Sequence, residues 1–134
     1  MKDVRIIDLP KVEDDRGNLS FLQNSVEIPF DIKRVYWVYD VPGGEQRGGH
    51  AYETMQELII ALSGSFDVVL FDGKEEKKYT LNRSYYGLYV PKMIWRSLEN
   101  FSTNALAFTA TDQPFSGKEY IRDLATFKQL VNGQ

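Results

Sequence analysis

The 134 residues include no cysteine and only one histidine, His50. The missing thiols exclude a disulfide framework, thiolate catalysis and thiolate metal sites. No apolar run approaches the roughly 20 residues that cross a bilayer. The opening Met1-Lys2-Asp3-Val4-Arg5 has no apolar stretch of the signal-peptide kind, so no membrane and a cytoplasmic location are the expectation. There is no long basic tract and the formal net charge is −3, which argues against a nucleic-acid partner. A Gly-rich loop between a strand and a helix is also lacking, so neither a nicotinamide nor a flavin cofactor is expected. With no linker, repeat or low-complexity segment, residues 1–134 read as one domain, long enough to bury a core without cross-links.

The chain is instead rich in short strand-like stretches. Hydrophobic residues make up 43% and aromatics 13% of it, which excludes a disordered chain. β-Branched and aromatic runs fall at 4–8, 18–22, 34–40, 57–62, 65–71, 78–81, 85–90, 94–98 and 105–109. Ser63-Gly64 and Asp72-Gly73 punctuate them as tight turns, and short strands at such spacing predict a sandwich or barrel. Ser65-Phe66-Asp67-Val68-Val69-Leu70 partly alternates, as a half-buried strand does. Toward the end, Tyr120, Ile121, Leu124, Phe127 and Leu130 stand at helical spacing, which predicts a short terminal helix.

His50 closes the run Gly43-Gly44-Glu45-Gln46-Arg47-Gly48-Gly49-His50 and is followed by Ala51-Tyr52. Imidazole is the side chain whose unperturbed pKa, roughly 6.5, suits proton transfer near neutral pH. Side chains alternate along a strand, so Tyr52 is expected on the same face as His50. Tyr36 lies in the aromatic run Val35-Tyr36-Trp37-Val38-Tyr39, whose neighbours face opposite ways. Arg16 and Arg47 each adjoin a glycine, Gly17 and Gly48, where backbone can approach a ligand closely.

Gly44, His50-Ala51-Tyr52, Glu57 and Gly64 resemble the first motif of the cupin superfamily, and Pro91, Arg96 and Asn100 resemble the second. That resemblance implies an all-β, cupin-type jelly-roll β-barrel, here with a short C-terminal helix. In a metal-binding cupin the matching positions hold the ion, but here they are His50, Tyr52, Glu57 and Arg96. A permanent guanidinium repels a divalent metal, so no metal is expected. Asp14-Asp15-Arg16-Gly17 with Arg47-Gly48-Gly49-His50 is similar to the paired signatures of deoxysugar-nucleotide cupins, among them the dTDP-sugar 3,5-epimerases. The length, Ile32-Lys33-Arg34-Val35-Tyr36, Ser63-Gly64-Ser65, Gly87-Leu88-Tyr89-Val90 and Tyr120-Ile121-Arg122 resemble the 3,4-ketoisomerases more closely. The resemblance implies a cofactor-free isomerase and a homodimer. Its substrate would be a dTDP-linked 4-keto-6-deoxyhexose, carried to the 3-keto isomer in the biosynthesis of deoxyamino sugars for cell-surface polysaccharide. Some ketoisomerases have His-x-His where this chain has His50-Ala51-Tyr52.

Moving a ketone from C4 to C3 needs a base for the C3 proton, an acid for the oxygen that becomes anionic, and a stabilising cation. His50 suits the base, and Tyr36 or Tyr52 the acid. Arg16 and Arg47 suit the diphosphate, since guanidinium forks match phosphate oxygens. Arg96 would either stabilise an oxyanion or pair with Glu57, whose spacing places it inside the barrel. Tyr86, with Tyr85, would stack on a thymine ring or pack as a half-buried strand aromatic. Two rival functions remain open at this point: a 3,5-epimerase, and a cupin that binds a sugar nucleotide without turning it over.

Overall fold

The structure, a computed structural model, describes residues 1–133. Two five-stranded antiparallel sheets face each other. The first contains β1 (Arg5–Asp8), β4 (Arg34–Val38), β6 (Glu57–Ser63), β9 (Tyr86–Val90) and β11 (Leu106–Thr111), in the order β1-β9-β6-β11-β4. The second contains β5 (Arg47–Tyr52), β7 (Phe66–Phe71), β8 (Glu76–Leu81), β10 (Trp95–Glu99) and β12 (Tyr120–Ile121), in the order β12-β5-β10-β7-β8. A separate hairpin pairs β2 (Lys11–Asp14) with β3 (Gly17–Ser20), and α1 (Leu124–Asn132) closes the described chain. This is the two-sheet jelly roll that the sequence leads one to expect.

The core lies where the inner faces of the sheets meet. Ile59, Leu88 and Ala107 come from the first sheet, and Phe66, Val68, Leu70, Leu81 and Leu98 from the second. Alternation sets which residues turn inward. In β7, Phe66, Val68 and Leu70 are buried apolar residues; Asp67 between them is satisfied by Thr80 at 2.6 Å and Asn100 at 3.2 Å. In β4, Val35 and Trp37 face out while Arg34, Tyr36 and Val38 are half-buried. Gly64 turns the chain between β6 and β7 at φ +65°, where a Cβ would stand 2.8 Å from the Ala105 Cα. Glycine alone meets both demands cheaply.

The tail departs from the sequence expectation. Tyr120 and Ile121 are not helical: they form β12 and pair with Tyr52 and Ala51 of β5. The helix begins at Leu124 because Asp123 caps it, accepting from the Thr126 backbone N–H at 3.0 Å and the Thr126 hydroxyl at 2.7 Å. Upstream, Glu119 accepts the Thr54 and Met55 N–H groups at 2.9 Å each, which docks the segment on the turn after β5. Two further strands, β2 and β5, lie outside the nine stretches read from composition. Both are rich in charge or glycine and poor in β-branched residues.

Helix α1 is held by one residue above the others. Phe127 is fully buried against Ala51 and Ile121, with Phe71 and Trp95 rings beside it. Phe127→Ala should destabilise the protein by about 3–5 kcal/mol in urea unfolding, whereas Lys128→Ala on the exposed side should change it by less than about 0.5 kcal/mol.

Candidate active site

At one end of the jelly roll a cavity of about 420 Å³ opens between the two sheets. Arg34 and Tyr36 reach it from β4, Arg47, Gly48 and His50 from β5, and Tyr120 and Arg122 from β12 and the residue after it. Three guanidinium groups therefore face one hollow that no carboxylate lines. Such a wall attracts anions.

Behind this wall lies a buried ion pair. Arg96 and Glu57 are 3% and 0% exposed and meet bidentately, Nε to Oε1 at 2.7 Å and Nη2 to Oε2 at 3.0 Å. The Tyr36 hydroxyl accepts from Arg96 Nη2 and donates to Glu57 Oε2 at 3.3 Å. Arg96 Nη1 donates to the Gly48 carbonyl at 3.4 Å. Burial works against the Arg96 charge, but Glu57, Tyr36 and Tyr52 more than offset it, so its pKa is raised and it stays a cation. Gly48 has φ +72°, and a Cβ there would collide with Arg96 Nη1. Only glycine lets β5 pass this close to the guanidinium.

His50 sits opposite Arg96 in the β5–β10 ladder and is 7% exposed. Its Nε2 is buried with no hydrogen-bond partner. Burial first, then the charges of Arg96, Arg122 and Arg34, lower its pKa from 6.5 to about 3. The ring is thus neutral near pH 7, with a nitrogen free to take a proton. It packs against Tyr52 and Tyr120, with ring centroids 4.8 Å away in each case. Those two tyrosines lie 4.9 Å apart by ring centroids and 3.5 Å by hydroxyl oxygens. Burial, then Glu57, raises the pKa of Tyr52, and the same two causes raise that of Tyr36.

The cavity gathers His50, Tyr36 and Arg47 from the residues singled out in sequence. Tyr52 touches His50 but lies behind it, buried, rather than on the cavity wall. Glu57 and Arg96 form the pair behind the wall and do not line it. Arg16 is not brought to the cavity within this chain: it projects from the β2–β3 turn, 91% exposed, paired with Asp14 at 2.9 Å. Tyr86 does not line the cavity either, and takes the packed alternative of its two readings. Its hydroxyl donates to the Asn82 side chain at 2.7 Å and accepts its N–H at 3.2 Å, while the ring packs on the core.

Arg34, Tyr120 and Arg122 were missed as site residues. Arg34 shares the inward face of Tyr36 two positions away, a signal the sequence does carry. Tyr120 and Arg122 reach the cavity only because β12 pairs with β5, which no local pattern announces.

The four cupin metal positions do not fit a metal here. The Glu57 carboxylate is already bonded to a guanidinium, and Tyr52 stands where an imidazole would. Among the described residues, no group of three or more His, Cys, Asp or Glu could hold an ion.

A jelly roll whose cavity sets a neutral imidazole among arginines is a cupin-type protein suited to an anionic ligand. The chain belongs to the FdtA family, described as WxcM-like, C-terminal, whose model matches residues 2–132. It is 33% identical over 127 residues to a TDP-4-oxo-6-deoxy-alpha-D-glucose-3,4-oxoisomerase of Aneurinibacillus thermoaerophilus, covering 95% of this chain and 91% of that one. The crystal structure of a 3,4-ketoisomerase from Helicobacter canadensis matches with TM-score 0.94 and 38% identity, over 97% of this chain and 98% of the other. A mutant of the 3,4-ketoisomerase QdtA from Thermoanaerobacterium thermosaccharolyticum, in complex with TDP-4-keto-6-deoxyglucose, matches with TM-score 0.97 and 27% identity, over 100% and 97% of the two chains.

The depressed histidine has a consequence for stability. In the unfolded chain His50 takes a proton below about pH 6.5, while in the folded chain it resists until about pH 3. Its contribution is thus intact above pH 6.5 and is lost as the pH falls, by about 2 kcal/mol between pH 7 and pH 5. Urea unfolding at the two pH values should show that loss, and His50→Asn should remove it.

Proposed function

We propose that this protein is a sugar-nucleotide 3,4-ketoisomerase that converts dTDP-4-keto-6-deoxyglucose to a dTDP-3-keto-6-deoxyhexose. The observation that carries this reading is the neutral, unpartnered Nε2 of His50 at a cavity walled by Arg34, Arg47 and Arg122. It is supported by the relatives, which are named as isomerases of TDP-linked sugars or hold one of them.

His50 Nε2 takes the proton from C3, which the adjacent ketone acidifies. The C3–H electron pair forms the C3=C4 bond, and the carbonyl pair moves onto the C4 oxygen. Tyr36, a phenol on the cavity wall, gives that oxygen a proton, and Arg96 steadies the phenol from behind. The C3 hydroxyl then loses its proton to Tyr36 as the C3 ketone forms, and His50 returns its proton to C4. Every group ends as it began. The arginines of the wall hold the diphosphate; Arg16 is left out of that set, since it stands on the far hairpin within this chain. Charge on the bound diphosphate offsets the arginine field at His50, so binding raises the basicity of the base.

A homodimer belongs to this reading. β4 is the edge of its sheet, and its outward Trp37 is 55% exposed beside Tyr39, Leu62 and Phe108, around an apolar hollow of about 520 Å³. Edges and apolar faces of this kind are commonly covered by a second subunit. The new C3 ketone is what an amino-group transfer needs, which supports a step in the synthesis of deoxyamino sugars for surface polysaccharide, with the protein in the cytoplasm.

The test is incubation with dTDP-4-keto-6-deoxyglucose in deuterated water, followed by NMR. A 3-keto product is expected, with label at C4 to the extent that the proton on His50 exchanges with solvent before it is returned. Label at C3 and C5 with the ketone still at C4 would make the protein a 3,5-epimerase, and an unlabelled, unchanged sugar would make it a binder. His50→Asn should lower turnover by roughly 100-fold or more while leaving ligand affinity nearly intact.

A further inference from the structure

The mechanism above uses one phenol of the cavity, and a second stands on the facing sheet. We propose that Tyr120 is a second acid–base group of the isomerisation, poised by the buried Tyr52 hydroxyl and by Arg34. This inference rests on the ketoisomerase reading.

Tyr120 lines the cavity beside His50, with ring centroids 4.8 Å apart. Its ring is already held by Tyr52, by Phe115 at 5.7 Å and by the Arg122 guanidinium at 4.2 Å. A phenylalanine would serve that packing equally well. The hydroxyl is what packing does not explain. It accepts from Arg34 Nη2 at 3.3 Å and from the Tyr52 hydroxyl at 3.5 Å. Arg34 and Tyr36 come from β4, His50 and Tyr52 from β5, Arg96 from β10, and Arg122 follows β12. The charged groups facing Tyr120 are therefore all cations.

These surroundings set the three phenols apart. Burial pulls the Tyr120 pKa up, but the hydrogen bonds from Tyr52 and Arg34 and the charges of Arg34 and Arg96 bring it below its ordinary value. Tyr52 and Tyr36 are pushed the other way by burial and Glu57. Tyr120 is thus the phenol that parts with a proton most readily, and Arg34 is placed to stabilise the oxygen left behind.

The steps balance. As His50 removes the C3 proton and the carbonyl pair moves onto the C4 oxygen, Tyr120, in place of Tyr36, gives that oxygen its proton. The C3 hydroxyl proton then passes back to Tyr120 as the C3 ketone forms. No phenol is consumed and no other reactant is needed.

The experiment compares wild type, Tyr120→Phe, Tyr52→Phe and the double variant, each first checked for fold by circular dichroism and for TDP affinity. Wild-type formation of the 3-keto sugar is measured first, and its absence would defeat the ketoisomerase reading itself. Given that activity, Tyr120→Phe should lower kcat roughly 10- to 100-fold with KM within about three-fold. The alkaline limb of its kcat profile should move to higher pH, which loss of packing would not cause. Tyr52→Phe should slow the reaction too, and the double variant should be no slower than the slower single one, since both act through the Tyr120 hydroxyl. Wild-type kcat and an unchanged alkaline limb in Tyr120→Phe would overturn the proposal, as would a loss confined to KM.

Discussion

Arg96 and Glu57 face each other almost wholly out of water, and neither charge could remain there without its partner. Taking one ion of such a pair into a protein interior costs several kcal/mol, which is recovered only by good geometry and further hydrogen bonds. Here the geometry is bidentate, and two further guanidinium protons go to Tyr36 and the Gly48 carbonyl. Several residues scattered in sequence are bound to that one requirement. Gly48 must lack a Cβ, Tyr36 must present a hydroxyl, and β5 and β10 must keep the register that sets His50 opposite Arg96. The pair also shapes the chemistry, because its cation is the largest charge acting on His50 after burial itself.

The cavity and the chain as a whole carry opposite signs. The protein has a net charge of −3, yet the wall around His50 presents Arg34, Arg47 and Arg122. A cationic hollow in an anionic molecule draws a small anion to one place. Burial first, then the charges of Arg96, Arg122 and Arg34, keep the imidazole neutral before anything binds. Ligand charge and base strength are coupled in this arrangement, so the base gains strength only when an anion has arrived.

The fold was legible because its core strands obey simple alternation. Phe66, Val68 and Leu70 could be placed inside from spacing alone, and the Ser63-Gly64 turn fixed where one hairpin folds back. β2 and β5 were harder: Lys11–Asp14 is mostly charged and Arg47–Gly49 is mostly glycine, so their strand character comes from partners distant in sequence. The same limit governed the site. His50, Tyr36 and Arg47 stood out as local motifs. Tyr120-Ile121-Arg122 stood out as a motif but was given no place in the site, since the spacing of Tyr120, Ile121 and Leu124 mimics a helix that in fact starts only after the Asp123 cap. Arg16 and Tyr86 also sit in suggestive motifs, and within this chain neither lines the cavity: Arg16 is tied to Asp14 on an outlying hairpin and Tyr86 to Asn82 at a loop.

Tyr52 and Arg96 replace two histidines of the metal-binding pattern, and the structure makes these one change rather than two. With a guanidinium at position 96, a second imidazole at position 52 would face the same cations that already depress His50, and it would add a buried polar group in need of a partner. A phenol avoids that difficulty. It stays neutral, packs edge-on against both His50 and Tyr120, and offers its hydroxyl to the latter. Glu57 completes the exchange, since the carboxylate that would have bound a metal now neutralises Arg96. What remains is a site whose charges are all carried by side chains, and in which one imidazole is left without a partner until a ligand enters.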